Sequence, residues 1–372
     1  MENMYHCYAS AAFGMEGLVA KELKSNGLQD VRADNGFVLF SSTADNLYLS
    51  NMKLHFSDRL YIILASGECK SFEDLFQLVF SVPWPDFFSG NEFIDVSCKC
   101  TKSQLMSQRD CQSITKKAII EKLRKTLNKS VFPEKGASLP VLVSIHSDQA
   151  KILINTSGES LSRRGYRTWN GEAPLRETLA AALVELSPWK SELPLYDPCC
   201  GTGTILIEAA FMATARAPGL NRNFAMTRFS FLRHVPFKAV LDRISREFHP
   251  DTLVSVCGSD IDPQAVELSE RHIRQAGMEN LIHVSTLPLQ RLSMEKSGGV
   301  FICNPPYGER LSDQKTCRLL YHDLRILKDQ CRAWSMCVLS SDPAFERSFG
   351  RKANRKRRLY NGRLECTYYI YE

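Results

Sequence analysis

The feature that most constrains the fold is the alternation of short apolar segments with helical segments in the second half of the chain. One apolar segment ends in a Gly-rich turn at 197–204 that leads into a helical sequence, and another ends in a Pro-Pro turn at 304–307. Strand-then-helix repetition is typical of a mostly parallel sheet that is covered on both faces. Because such sheets bind ligands beyond the carboxyl ends of their strands, we predict a site built by these two turns.

The elements of this α/β domain can be placed individually. A helix is predicted at 175–186, where the alanines at 180–182 give a high helix propensity. The other predicted elements are strands at 193–196, 253–257, 299–303 and 336–340, and helices at 205–214 and from about residue 263.

The first 155 residues have a different pattern, in which short apolar runs alternate with helical stretches as in small α+β units. A helix predicted at 112–128 carries its apolar residues on one face and mostly basic residues on the other. Two apolar runs, 141–145 and 151–154, flank a short turn and predict a hairpin.

Length and composition limit the function classes. With 372 residues the chain exceeds the roughly 100–200 residues of a typical domain, so two or three domains are expected. No apolar run approaches the ~20 residues that span a bilayer, and the start lacks a secretory pattern, so we expect a cytoplasmic protein with no membrane partner. The thirteen cysteines are odd in number and lack the paired spacing of zinc sites, which predicts reduced thiols and no metal.

The positive charge of the chain favours a polyanionic partner. The formal net charge is +6, and between Arg351 and Arg363 seven residues are Lys or Arg and none is acidic. This run is either a solvated basic loop or an RNA contact through 355–358. The segment 156–173 is predicted as a domain junction, and its arginines at 163, 164 and 167 either touch RNA or belong to a plain linker.

The Gly-rich turn at 197–204 suits a nucleotide-like ligand. Its glycines let the backbone approach the ligand, and Asp197 at the strand end suits an uncharged or cationic group. The third glycine of the dinucleotide fingerprint is missing, which argues against nicotinamide cofactors. Asp260, at the end of the next strand, either accepts hydrogen bonds from ribose hydroxyls or forms a turn or cap, and Asp262 before Pro263 suits a helix cap.

The sequence Asn304-Pro305-Pro306-Tyr307 carries the clearest chemistry. Two prolines fix the chain and remove backbone donors, which leaves the Pro305 carbonyl and the Asn304 side-chain oxygen as rigid acceptors. An amino group on a nucleobase is a poor nucleophile because its lone pair is conjugated with the ring. Two acceptors that hold its hydrogens aim the lone pair at a sulfonium methyl, and Tyr307 is expected to stack on the extruded base. The motif alone predicts methylation of an amino group on a planar ring.

Three motifs in this order, at 197–204, 258–263 and 304–310, resemble those of class I methyltransferases of amino groups. More narrowly, the segments 163–167, 173–178 and 359–363 are similar to the THUMP-containing RlmL-type enzymes of the UPF0020 family. Those enzymes make N2-methylguanine in 23S ribosomal RNA. Some members carry a second methyltransferase domain, and this sequence resembles the form with a single one.

The resemblance implies a Rossmann-like class I methyltransferase domain at 174–372, preceded by a linker at 156–173. It implies an N-terminal ferredoxin-like unit at 1–60, intertwined with a THUMP RNA-binding domain at 45–155. S-adenosylmethionine is the expected cofactor, and RNA, either 23S rRNA or a large-subunit precursor, is the expected partner. The residue in contact with the cofactor's adenine is left open between Thr286 and a backbone amide.

The candidate residues fall into three sets, of which only the catalytic and cofactor sets are placed by the family motifs. The catalytic set is Asn304, Pro305, Pro306 and Tyr307, and the cofactor set is Asp197, Cys199, Gly201, Gly203, Thr204, Asp260, Ile261 and Asn304. The RNA-binding set is Arg163, Arg164, Arg167, Arg355, Lys356, Arg357 and Arg358. The alternatives to a guanine-N2 enzyme of rRNA are an adenine-N6 enzyme, a guanine-N2 enzyme of tRNA, and a non-catalytic RNA-binding assembly factor that retains the fold.

Overall fold

The computed structural model describes residues 3–167, 175–252, 254–294, 298–307 and 311–372, without the side chains of 311–314. The strands are β1 (Tyr5–Ala11), β2 (Gln29–Asp34), β3 (Phe37–Ser42), β4 (Ser57–Glu68), β5 (Phe93–Thr101), β6 (Ser138–His146), β7 (Gln149–Asn155), β8 (Leu195–Asp197), β9 (Val256–Asp260), β10 (Ile282–Thr286), β11 (Gly299–Cys303), β12 (Trp334–Ser340), β13 (Arg355–Asn361) and β14 (Leu364–Tyr371).

The helices are α1 (Glu16–Ser25), α2 (Ala44–Lys53), α3 (Phe72–Ser81), α4 (Gln108–Leu127), α5 (Glu177–Leu186), α6 (Thr204–Ala213), α7 (Phe237–Ser245), α8 (Pro263–Ala276), α9 (Leu311–Gln330) and α10 (Phe345–Phe349). Within the described ranges, none of these helices combines the length and the apolar character needed to span a membrane.

The N-terminal half forms one seven-stranded sheet in the order β2-β3-β1-β4-β7-β6-β5. The first four strands, with α1 and α2 between them, have the βαββαβ order of a ferredoxin-like unit. Strand β4 then pairs antiparallel with β7, so the two small units share a continuous sheet. The predicted hairpin is β6–β7, and its turn residues Ser147 and Asp148 both have positive φ, as a tight two-residue hairpin requires.

The predicted basic helix is α4, which starts four residues earlier than the sequence pattern indicated. The Ser107 hydroxyl caps its N-terminus by accepting from the backbone N–H of Asp110 at 3.3 Å. On its surface Lys122 and Lys125 lie 5.0 and 4.9 Å from the ring centre of Phe80. These lysines therefore partly cover an aromatic side chain of α3.

The C-terminal half forms a second seven-stranded sheet in the order β10-β9-β8-β11-β12-β14-β13. Strands β8 to β12 pair in parallel and β14 runs antiparallel to β12, which confirms the predicted, mostly parallel sheet. The strand order reverses between β8 and β11. In an open α/β sheet a ligand crevice forms at such a reversal, beyond the carboxyl ends of the strands.

Two parts of this sheet differ from the sequence prediction. Strand β9 ends at Asp260, three residues later than predicted, and Leu253, the predicted first residue, lies outside the described residues. Of the basic run at 351–363, the part Arg355–Asn361 is not a loop but the edge strand β13, and its first four side chains are exposed. Lys and Arg side chains on an edge strand discourage pairing with a further strand.

The two halves pack against each other through a common hydrophobic core that includes Leu60, Ile152 and Leu206. The contact is close enough to require glycine, since a Cβ on Gly219 would lie 2.7 Å from the Cα of Met52. The described part of the predicted linker, 156–167, lies within this contact and contributes buried side chains. Its remaining residues, 168–173, lie outside the described ranges.

Candidate active site

A cavity of about 630 Å³ lies where the strand order reverses. It falls in the size range of small-molecule sites. Its wall is formed by the turn after β8, the first turns of α8, and the residue that follows β11. Of the residues predicted to hold the cofactor, the wall contains Asp197, Cys199, Gly201, Thr204 and Asn304.

Two glycines shape the turn after β8 for different reasons. Gly201 and Gly203 have φ of +49° and +77°, in the left-handed region that disfavours other residues. A Cβ on Gly203 would lie 2.3 Å from the Ser269 hydroxyl oxygen, so this glycine lets α8 pack against the turn. A Cβ on Gly201 would have nothing within 4 Å, which leaves open space on the cavity wall for a ligand.

Asp197, the last residue of β8, is a buried carboxyl group on the cavity wall. One of its oxygens accepts from the backbone N–H of Cys199 at 3.0 Å. Burial raises the pKa of Asp197 well above its ordinary value, and the nearby Asp260 carboxylate raises it further. Because the ionised form is disfavoured by burial, a cationic ligand in the cavity stabilises it. This observation fits the sulfonium or ammonium group of S-adenosylmethionine.

Asp260 and Asp262 organise the turn after β9. The Asp260 carboxylate accepts from the backbone N–H of Gly201 at 2.9 Å and of Asp262 at 3.0 Å, so it joins two turns of the site. Its contact with a ribose stays a prediction. Asp262 caps α8 by accepting from the N–H of Gln264 at 2.9 Å, which confirms the predicted cap.

Two further features stand beside this turn. Asp262 also lines the cavity, which the sequence interpretation missed, although its place beyond the end of β9 could have indicated it. Ile261 is 70% exposed and is not among the residues that line the cavity. Its contact with the cofactor stays a prediction.

In the motif after β11, the side chains of the first and last residues, Asn304 and Tyr307, are hydrogen-bonded to each other. Pro305 is buried and Pro306 is exposed. The hydroxyl of Tyr307 donates to Oδ1 of Asn304, the oxygen that the sequence predicted to be free. Burial raises the pKa of Tyr307, so the hydroxyl stays protonated and acts as a donor. The ring of Tyr307 packs partly buried against the core, and a stacking role therefore requires this side chain to swing out.

Family models match three successive parts of the chain. They are an RlmL ferredoxin-like domain at 6–61, a THUMP domain at 69–155, and the RMKL-like methyltransferase domain (UPF0020) at 164–370. The chain belongs to this methyltransferase family. S-adenosylmethionine is its cofactor, and the open wall at Gly201 and the buried carboxyl group of Asp197 fit that molecule.

Relatives and solved structures resemble the chain over its whole length. YpsC of Bacillus subtilis (strain 168), named as a candidate RNA methyltransferase, is 36% identical over 99% of this chain and 96% of its own. The ribosomal RNA large subunit methyltransferase K/L of Desulfotalea psychrophila (strain LSv54 / DSM 12343) is 33% identical over 98% of this chain. The chain spans about half the length of the K/L relatives, 52% in that case.

Among solved structures, SMU.472, a candidate methyltransferase in complex with SAH, matches with a TM-score of 0.94 and 37% identity. That match covers 100% of this chain and 98% of the other. A candidate methylase of Clostridium difficile 630 matches with a TM-score of 0.96 and 34% identity, over 99% and 98% of the two chains.

The methyltransferase does not use all three junction arginines as predicted. The prediction that Arg164 contacts RNA is wrong, because its side chain is buried and lies 3.2 Å from the buried Glu208 carboxylate. It also donates to the carbonyl of His55, which ties the N-terminal half to the catalytic half. Arg167 donates to the Thr204 hydroxyl at 2.6 Å, so it supports the cofactor turn. Arg163 is exposed and lies 3.2 Å from Glu159.

The four basic residues at the start of β13 are all exposed, as an RNA contact requires. Three of them have acidic neighbours: Arg355 lies 2.6 Å from Glu372, Lys356 2.9 Å from Glu346, and Arg358 3.4 Å from Glu365. Arg357 instead donates to the carbonyl of Gly14 at 3.1 Å. The strand is thus less positive than its sequence suggests.

A second, larger cleft of about 920 Å³ lies between the segments 157–167 and 221–228, where the two halves meet. The sequence interpretation did not find it, because its walls come from distant parts of the chain. Its described lining includes five arginines and two glutamates: Arg163, Arg164, Arg167, Arg222, Arg228, Glu159 and Glu177. Arg222 holds the first wall together by donating to the carbonyls of Ser160 and Glu159. The cleft is polar and has an excess of positive charge.

Proposed function

We propose that this protein transfers a methyl group from S-adenosylmethionine to the exocyclic N2 of a guanine in RNA, and that 23S ribosomal RNA is the substrate. The observation that carries the reaction type is the position of Asn304. This residue follows the buried strand β11, precedes two prolines, and lies on the wall of the cofactor cavity.

S-adenosylmethionine supplies an electrophilic methyl group on a sulfonium. The chain supplies orientation: the Asn304 oxygen and the Pro305 carbonyl accept the two hydrogens of the amino group and hold its lone pair in one direction. Tyr307 stacks on the base after its hydroxyl has left Asn304. As the nitrogen–methyl bond forms, the carbon–sulfur bond breaks and S-adenosylhomocysteine leaves as a neutral thioether. The methylated nitrogen then carries a positive charge and loses one hydrogen as a proton to solvent water, so no group of the chain needs to act as a strong base.

RNA as the substrate is supported by three observations. The chain has a THUMP domain ahead of the catalytic half. Several relatives are named for methylation of the large ribosomal subunit RNA. The cleft between the halves presents the exposed side chains of Arg163 and Arg228, and such side chains contact phosphates. A cytoplasmic location is part of this proposal, because the named relatives are bacterial and bacteria assemble their ribosomes in the cytoplasm.

Adenine N6 is the competing target. A Listeria monocytogenes structure named as a predicted N6-adenine-specific DNA methylase matches with a TM-score of 0.94 and 35% identity. The deciding experiment is a nucleoside digest of separated 23S rRNA and tRNA from cells with and without the gene, analysed by mass. We expect N2-methylguanosine to disappear from 23S rRNA. Loss of N6-methyladenosine with N2-methylguanosine unchanged would overturn the guanine assignment, and loss confined to tRNA would overturn the ribosomal one.

A non-catalytic assembly factor is the second competitor, and it predicts that the wild type transfers no methyl group to RNA. If the wild type is active, a variant of Asn304 tests where the reaction centre lies. Asn304→Ala should lower methyl transfer by at least about 10²–10³-fold, the cost of removing one polar group aimed at the reacting centre. Binding of S-adenosylmethionine, measured by calorimetry, should persist. Equal transfer in the variant and the wild type would place the reaction centre elsewhere.

A further inference from the structure

Three cysteine side chains meet in the N-terminal half, outside the cofactor site and outside the cleft between the segments 157–167 and 221–228. Cys98 and Cys100 lie two residues apart on β5, so their side chains leave the strand on the same face. Cys111 lies in the first turn of α4, which packs against that face. All three are free thiols; Cys98 and Cys111 are buried and Cys100 is part-exposed.

The three sulfur atoms are close enough to share one ion. The sulfur of Cys98 lies 3.5 Å from that of Cys100, which lies 4.0 Å from that of Cys111, and all three lie within 4.8 Å of one another. If the sulfurs of Cys98 and Cys111 are taken to be 4.8 Å apart, the point equidistant from the three sulfur atoms lies about 2.4 Å from each of them. A zinc–thiolate bond is about 2.3 Å long. Among the described residues, no other His, Cys, Asp and Glu side chains form such a group.

We propose that Cys98, Cys100 and Cys111 bind one thiophilic metal ion, Zn²⁺ or Cu⁺, through three thiolates. Sulfur ligands select these ions over Mg²⁺ and Ca²⁺. Each thiol releases its proton to solvent as its bond to the metal forms, and no atom is oxidised or reduced. Part-exposed Cys100 gives the ion a route from solvent. The bound ion cross-links the edge strand β5 to the start of α4.

This proposal reverses the expectation of no metal, and the reason is geometric. That expectation rested on the absence of paired cysteines with two-residue gaps. Such spacing belongs to sites built on tight turns. A site built from one strand and one helix needs an alternate-residue pair on the strand and a single cysteine on the helix, which this chain has.

The test uses the full chain, purified under reducing conditions and stripped with a chelator. Zn²⁺ and Cu⁺ are titrated separately against competing chromophoric chelators, and bound metal is counted by mass spectrometry. Co²⁺ serves as a spectroscopic probe, because thiolate ligands give it intense charge-transfer bands. We expect one ion per chain for at least one of the two metals, and a thermal midpoint that rises with that metal.

Cys100→Ser is the main variant because the side chain is part-exposed and disturbs packing least. We expect at least a tenfold loss of affinity and loss of the charge-transfer bands, with an unchanged circular dichroism spectrum. Cys331→Ser, at another part-exposed free cysteine in the catalytic half, is the matched control and should bind as the wild type does. Equal metal binding in both variants overturns the proposal. So does a wild type that binds neither metal, or one whose Cys98 and Cys100 are joined in a disulfide by mass.

Discussion

The hydroxyl of Tyr307 donates a hydrogen bond to Oδ1 of Asn304, an atom that the proposed reaction needs as an acceptor for the substrate amino group. A base that enters the site must displace this hydroxyl. Tyr307→Phe keeps the ring for stacking and frees Asn304, so we expect kcat to be retained and KM for RNA to fall. Tyr307→Ala also loses the stacking, worth about 1–3 kcal/mol, and kcat/KM should fall about 5- to 150-fold.

Steady-state methylation with radiolabelled cofactor measures both variants. Tyr371→Phe is a suitable control, because it removes a tyrosine hydroxyl that donates to the carbonyl of Arg351. Tyr371 pairs with Met336 near the amino end of β12, at the end of the sheet opposite the site. If Tyr307→Phe loses as much activity as Tyr307→Ala, then the hydroxyl itself takes part in the reaction and the displacement scheme is wrong.

The raised pKa of Asp197 predicts a pH-dependent affinity for the cofactor. Burial is the main cause, so in the free protein the carboxyl group holds its proton to a higher pH than an exposed aspartate does. A cationic ligand binds the ionised form better. Affinity for S-adenosylmethionine should therefore rise as pH rises through this raised pKa and fall below it. Asp197→Asn should weaken binding and remove the pH dependence, as measured by calorimetry from about pH 5 to 8.

The same group predicts the pH dependence of stability without cofactor. The folded state binds the Asp197 proton more tightly than the unfolded state, so this residue makes the free energy of unfolding fall as pH rises between the unfolded and folded pKa values. Asp197→Asn should abolish that contribution in urea unfolding. If the stability and the cofactor affinity of Asp197→Asn change with pH as those of the wild type do, then another group controls both.

The sequence predicted the parts of the site that depend on local pattern. The predicted bounds of strand β11 agree with the structure at both ends. A continuous apolar run followed by two prolines is typical of a buried strand that ends at a turn. The role of Arg164 was predicted wrongly, because its partner Glu208 is 44 residues away in the sequence and no local pattern around Arg164 indicates their pairing. Strand β13 was not predicted, because an edge strand with exposed side chains lacks the alternation of apolar and polar residues that indicates a strand. The orientation of Tyr307 depends on packing, which no local pattern encodes.

The buried pair of Arg164 and Glu208 predicts a large loss of stability on substitution. Arg164→Met leaves the Glu208 carboxylate buried without its partner and should lower the free energy of unfolding by about 3–5 kcal/mol. Arg163→Met removes the exposed neighbouring pair with Glu159 and should cost less than about 1 kcal/mol. Urea unfolding followed by circular dichroism gives both values. Similar losses in the two variants would mean that Arg164 is not the residue that joins the halves.

The basic strand β13 predicts a specific salt dependence of RNA binding. Each phosphate contact adds about 0.7–0.9 to the slope of log K against log salt. Replacing Arg355, Lys356, Arg357 and Arg358 together by Gln should weaken RNA binding and flatten that slope. Within the described residues Arg357 has no carboxylate partner, whereas Arg355 is paired with Glu372. Arg357→Gln should therefore flatten the slope more than Arg355→Gln.

Fluorescence anisotropy with a 23S rRNA fragment, from about 50 to 200 mM salt, measures these slopes. Arg271→Gln is the control, because Arg271 is exposed and paired with Glu267 on α8, which packs against β9 and β10 at the edge of the sheet opposite β13. An unchanged slope in the fourfold variant would mean that β13 does not contact RNA. Its charges would then serve only to keep an edge strand from pairing with another chain, and the fourfold variant should aggregate at concentrations where the wild type does not.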